Sequence, residues 1–194
     1  MNKYRIDKDG LIETMGAWNA FFRRRVHLIA CGGTAMTLLE IKESTKDIDF
    51  IVPNESEYRY LAATLADMGY ANISEFGWKR DGGFIFDLYP GSRVYQTDLL
   101  ESPLKSGNNT LFREFARIYI GILNPYDIII TKLFRASGVD IEDCAGLLKT
   151  AGKKIDWARL EGRFRETASY SVFEDKANAN FNAFRENIRR RKLI

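Results

Sequence analysis

The sequence predicts an α/β module followed by a helical one, and three observations lead there. Short β-prone runs alternate with helix-spaced apolar positions from residue 11 to about 90. Glycines and prolines punctuate the changes between them. Beyond Asn124 only helical periodicity remains, so the boundary is placed near residue 123, dividing the chain into 1–123 and 124–194.

Leu11, Ile12, Met15, Trp18, Phe21 and Phe22 recur at helical spacing, predicting a helix over residues 11–25. "VHLIACGG" is a short strand ending in two glycines, and "TAMTLLEI" resumes helical character. "KDIDFIV" reads as a strand stopped by Pro53, and "ESEYRYLAATLADMGY" as a helix closed by Gly69. "NISEFGW" and "GGFIFDLYP" are two strands joined through "RDGG". "PLKSGNNT" reads as a polar loop and "FARIYIGIL" as a further strand. Four helical segments close the chain, the last ending in "RENIRRRKLI".

The 194 residues are 45% hydrophobic, enough for a proper core, and with a net charge of +3 nothing marks the chain as disordered or collagen-like; a pI near 8.8 permits an anionic partner without requiring one. The cluster Arg189, Arg190, Arg191 and Lys192 has two readings: dipole-favoured residues at a helix end, or contacts to an RNA backbone. Cys31 and Cys144 sit far apart in apolar surroundings and read as small core residues. The polar start "MNKYRIDKDG" and the lack of a long apolar run predict a soluble, cytoplasmic protein with no membrane partner.

Chemistry concentrates in "CGGTAMTLLEIKESTKDIDFIV". Alternate residues of a strand share a face, so Asp47 and Asp49 project together, about 7 Å apart. Asp87, in "FIFDLYP", is a third acid on a later strand. Three oxygen donors suit a hard ion, Mg²⁺ or Mn²⁺, whereas His27, the sole histidine, cannot build a zinc site. Gly32 and Gly33 follow a strand and open a helix, where backbone N–H groups can hold a phosphate and Thr34 adds a hydroxyl. The competing reading of "GGT" is a tight strand-to-helix turn.

"CGGT…KDIDF…FDLY" resembles the polymerase-β-like nucleotidyltransferases, whose signature is a Gly-Gly or Gly-Ser turn, an Asp-x-Asp pair and a third acid on a later strand. Within that superfamily it looks most like the small prokaryotic AbiEii-related nucleotidyltransferases of toxin–antitoxin systems. The resemblance covers residues from about 27 to 150. It implies a mixed sheet flanked by helices with a C-terminal helical domain. It also implies transfer of NMP from an NTP such as ATP to a hydroxyl acceptor, with a tRNA 3′ end or a protein hydroxyl favoured, a small molecule left open and an antitoxin as a further partner. On this resemblance Gly32, Gly33 and Thr34 seat the triphosphate, and Asp47, Asp49 and Asp87 hold Mg²⁺.

The same resemblance matches Lys132, in "IIITKLF", to a lysine that neutralises triphosphate charge; an amphipathic helix's surface lysine is the other reading. A related aspartate falls at Asp140 or Asp143, although Val139 stands where a basic residue is expected. Asp143 is kept as a nucleotide-site candidate, and Asp140 reads as a helix N-cap. Lys46 and Arg135 are either phosphate contacts or solvated surface residues. A catalytically inactive nucleotide- or partner-binding module of the same fold is the alternative to the enzyme.

Overall fold

The computed structural model describes residues 5–151 and 155–193. Its central sheet has seven strands in the order β10-β11-β2-β4-β7-β6-β5. These are β10 (Asn109–Glu114), β11 (Ile118–Leu123), β2 (Val26–Ala30), β4 (Asp47–Val52), β7 (Ile85–Pro90), β6 (Gly77–Lys79) and β5 (Ala71–Asn72). Pairing is mixed: β11–β2 and β4–β7 run parallel, while the other neighbours are antiparallel. Two short ribbons flank the sheet, one from β1 (Ile6–Asp7) with β3 (Ser44–Thr45), the other from β8 (Arg93–Val94) with β9 (Thr97–Asp98).

Helices α1 (Lys8–Phe21), α2 (Gly32–Leu38) and α3 (Glu55–Asp67) belong to the sheet half. Helix α1 ends earlier than its periodicity predicts. Phe22 is buried in extended backbone, and the hydroxyl of Tyr60 accepts the freed N–H groups of Arg23 and Arg24 at 2.7 and 3.3 Å. Helix α2 starts at the glycines themselves, with Gly32 in the left-handed region at φ 51°.

Strand β10 falls in and beyond the stretch read as a polar loop. It is an edge strand with mostly exposed side chains, so no apolar alternation marks it. The antiparallel ladder with β11, interrupted by one register shift, defines it instead.

Helices α4 (Pro125–Arg135), α5 (Gly138–Ala151), α6 (Trp157–Ser169) and α7 (Glu174–Arg190) complete the described residues. Asn124 caps α4 by accepting the Asp127 N–H at 2.9 Å, with Pro125 in the first turn. Phe164 and Phe181 meet at 4.5 Å between centroids, and with Phe184 they are fully buried in the core. Both cysteines are free and buried. Buried side chains of the sheet and of the four last helices form one continuous cluster. Among the described residues no helix is long and apolar enough to cross a membrane.

Candidate active site

Strands β4 and β7 pair in parallel register, with Asp49 opposite Asp87 and Asp47 opposite Ile85. The three acids therefore share one sheet face. Asp47 is exposed, Asp87 half-buried and Asp49 buried. Asp49 Oδ2 accepts the Gly33 N–H at 3.0 Å, and Asp87 Oδ2 accepts the Tyr95 hydroxyl at 3.3 Å.

Burial, then the charge of Asp87, pushes the Asp49 carboxyl up to about 7; the Gly33 N–H and the more distant Lys132 pull the other way. Asp87 is also raised, by burial and by Asp47. Each of these carboxylates disfavours the charge of its neighbour. Their all-oxygen chemistry fits a hard divalent ion. In this conformation, however, Asp49 and Asp87 each turn to a protein donor. Among the described residues no three acidic, thiol or imidazole groups are gathered as a ready-made metal cage.

The glycines have a steric explanation in the structure. A β-carbon on Gly32 would lie 2.5 Å from Asp49 Oδ2, and one on Gly33 would lie 2.4 Å from Thr45 Oγ1. Gly32 leaves room for Asp49 of the acid-bearing strand β4, whereas Gly33 leaves room for the Thr45 hydroxyl of β3. Thr34, proposed from sequence to face a ligand, is fully buried, and its Oγ1 accepts the Asp49 N–H at 2.8 Å. Its hydroxyl thus ties β4 to α2.

A cleft of about 250 Å³ opens beside Gly32, Gly33 and Asp49. Its opposite wall carries Thr131, Lys132, Phe134 and Arg135 of α4 and Lys176 of α7; residues 94–97 of the β8–β9 ribbon close one side. Lys132 is not the surface lysine of the second sequence reading. It is 4% exposed and donates to Asp143 Oδ2 at 2.7 Å and Asp140 Oδ1 at 3.3 Å. Burial opposes its charge, but the hydrogen bond and charge of Asp143, with that of Asp140, raise its pKa. Lys42 reaches Asp143 from the loop after α2, at 3.2 Å.

Asp140 is not the N-cap of α5. Ser137 holds that place: its Oγ accepts the Asp140 N–H at 3.3 Å, while Asp140 Oδ2 accepts the Ser137 N–H at 3.1 Å, a reciprocal capping arrangement. Asp140 is fully buried and also receives Arg135 bidentately at 2.7 and 2.8 Å. Burial alone would raise its pKa; Arg135, Ser137 and Lys132 together hold it well below the usual carboxylate range. Arg135 is thus half-exposed but anchored. Lys46 lies elsewhere: it is exposed and lines, with Asp47 and Lys79, a separate depression under the β6–β7 hairpin.

Sequence reasoning missed Tyr95, Lys42 and Lys176. None belongs to a recognisable motif, and only the fold brings them near the acids or the cleft.

Residues 107–193 match the protein family described as "Nucleotidyltransferase of unknown function (DUF6036)". The matched stretch contains Lys132, Arg135, Asp140 and Asp143 but neither the glycines nor the three acids. No curated protein matches the chain by sequence. The solution structure of the antibiotic-resistance factor ANT(2'')-Ia is similar at a TM-score of 0.57 and 14% identity, covering 95% of this chain and 100% of that one. The crystal structure of ANT(2'')-Ia in complex with adenylyl-2''-tobramycin is similar at a TM-score of 0.55 and 16% identity, covering 82% of this chain and 96% of that one. The fold is nucleotidyltransferase-like, a mixed α/β sheet with helices. A specific relationship to AbiEii proteins has no counterpart in these matches.

Proposed function

We propose that the chain is a metal-dependent nucleotidyltransferase, moving NMP from an NTP to a hydroxyl and releasing pyrophosphate. One observation carries this reading: Asp49 and Asp87 stand in register on neighbouring strands, beside a cleft whose far wall presents Lys132 and Arg135. Mg²⁺ or Mn²⁺, when bound, would supply charge neutralisation and alignment for an in-line displacement at the α-phosphorus. Asp47, Asp49 and Asp87 are the residues that would hold it. Lys132, Arg135 and Lys176 place positive charge where the polyphosphate of the NTP would lie. Gly33 holds one oxygen of Asp49, which leaves Oδ1 for a cation. Asp87 is the acid proposed to accept the proton of the attacking hydroxyl.

The acceptor follows from the fold less than the reaction does. A tRNA 3′ end and a protein hydroxyl are the favoured acceptor classes, with regulation by an antitoxin as a corollary. The adenylylated tobramycin bound to ANT(2'')-Ia adds a small-molecule hydroxyl as a third. The opposing reading is a nucleotide- or partner-binding module without turnover. It is favoured by the ungathered state of the three acids.

Label transfer separates these readings. Protein is incubated with Mg²⁺, each α-labelled NTP in turn, and total tRNA, protein extract or an aminoglycoside. Label on one acceptor that disappears in Asp49→Ala supports the enzyme and names base and acceptor together. NTP binding without transfer to any acceptor supports the binding module.

A further inference from the structure

Tyr95 occupies a position that its side chain alone makes sense of. It is the first central residue of the two-residue turn joining β8 to β9, and its φ is 52°. Glycine is the usual residue at such a place, and a bulky residue there is uncommon. A backbone outlier of this kind persists only where its surroundings over-determine it. Here they do. The ring packs 5.1 Å from Tyr89, the Arg135 guanidinium lies 5.6 Å from its centroid on the other wall, and Arg93 Nε donates to the Tyr95 carbonyl at 2.7 Å. The hydroxyl then reaches Asp87 Oδ2 at 3.3 Å.

We infer that Tyr95 is a positioning residue for Asp87, linking the acidic strand wall to the cationic helix wall through one side chain. The inference rests on the proposed metal-dependent reading of the site. Asp87 is only half-buried in the middle of β7, and the strand fixes its backbone but not the rotation of its carboxylate. The phenol holds one oxygen, which leaves Oδ1 for a cation. Arg135, fixed by Asp140, in turn holds the ring in place. A hydrogen-bond partner that orients a metal-binding carboxylate changes metal affinity without touching the ion.

The test is equilibrium Mn²⁺ binding to the full chain, read from the electron paramagnetic resonance of free Mn²⁺. Tyr95→Phe keeps the ring against Tyr89 and beneath Arg135 but lacks the hydroxyl. It should weaken Mn²⁺ binding about 10-fold while the thermal midpoint without metal stays unchanged. A purely structural Tyr95 predicts wild-type affinity for the Phe variant, and that result overturns the inference. Asp87→Asn keeps the two questions apart. If it loses Mn²⁺ binding while Tyr95→Phe does not, the metal reading stands and the role of Tyr95 falls. If Asp87→Asn and Asp49→Asn both bind Mn²⁺ as the wild type does, the metal reading fails and takes the role of Tyr95 with it.

Discussion

Two clusters of carboxylates face the same region of this molecule, and they are treated in opposite ways. Asp140 and Asp143, on α5, are surrounded by Lys132, Arg135 and Lys42, with Ser137 completing the set. Among the described residues, Asp47, Asp49 and Asp87, on β4 and β7, have one backbone N–H and one phenol between them as donors to their carboxylates. The physical result is a divergence in proton affinity: Asp140 lies far below the ordinary range, while Asp49 rises to about 7 and Asp87 also rises. Buried acids with cationic partners stay ionised, whereas acids crowded together favour the protonated form. The contrast therefore separates a cluster paired within the protein from one that is largely unpaired.

Breaking the first cluster should have the largest effect on stability. Asp140→Asn leaves Lys132 buried against a single carboxylate and removes the anchor of Arg135. A loss of about 3–5 kcal/mol is expected, measured by denaturant unfolding; a loss within experimental error would mean that the network is dispensable. Asp49→Asn should go the other way. The amide oxygen still accepts from Gly33, and a buried charge disappears, so the metal-free protein gains on the order of 1–3 kcal/mol near pH 8.

The pH dependence sharpens the same contrast. Asp49 has a folded pKa of about 7, above its ordinary 3.8, so the folded state holds the extra proton between those values. Its contribution is most favourable below pH 4 and falls as pH rises through 7. Asp140, being depressed, contributes stability above the ordinary carboxylate range that is lost as pH falls below it. Metal-free unfolding measured from pH 5 to 8 should therefore lose stability with rising pH in the wild type and much less in Asp49→Asn. Equal slopes would remove Asp49 from the account. The smallest effect belongs to Lys42→Ala. Lys132 still satisfies Asp143, so the change should cost only about 0.2–1 kcal/mol, visible as a small drop in thermal midpoint.

The legible part of the fold was the part written in local pattern. Most helices and the strands β2, β4, β7 and β11 carry their apolar spacing or their stop signals in adjacent residues. The edge strand β10 and the β8–β9 ribbon do not, because exposed strands lack alternation and a two-residue strand has too few positions to show any. Among candidate site residues, the Asp-x-Asp pair declares a shared face by spacing alone. Lys132 and Asp140 were ambiguous for an opposite reason: a helical lysine and an aspartate near a helix start look the same whether solvated or buried.

By itself, then, the sequence determined most helices, the strands β2, β4, β7 and β11 and the presence of three acids at strand positions, since these depend on residues a few places apart. Only the tertiary structure decided that Asp87 stands opposite Asp49, that Lys132 is sealed between two aspartates, and that Tyr95 reaches Asp87. Each of these is a meeting of distant segments. Strand register, helix docking and a turn held in the left-handed region are set by packing of the whole chain, and no local window contains that information.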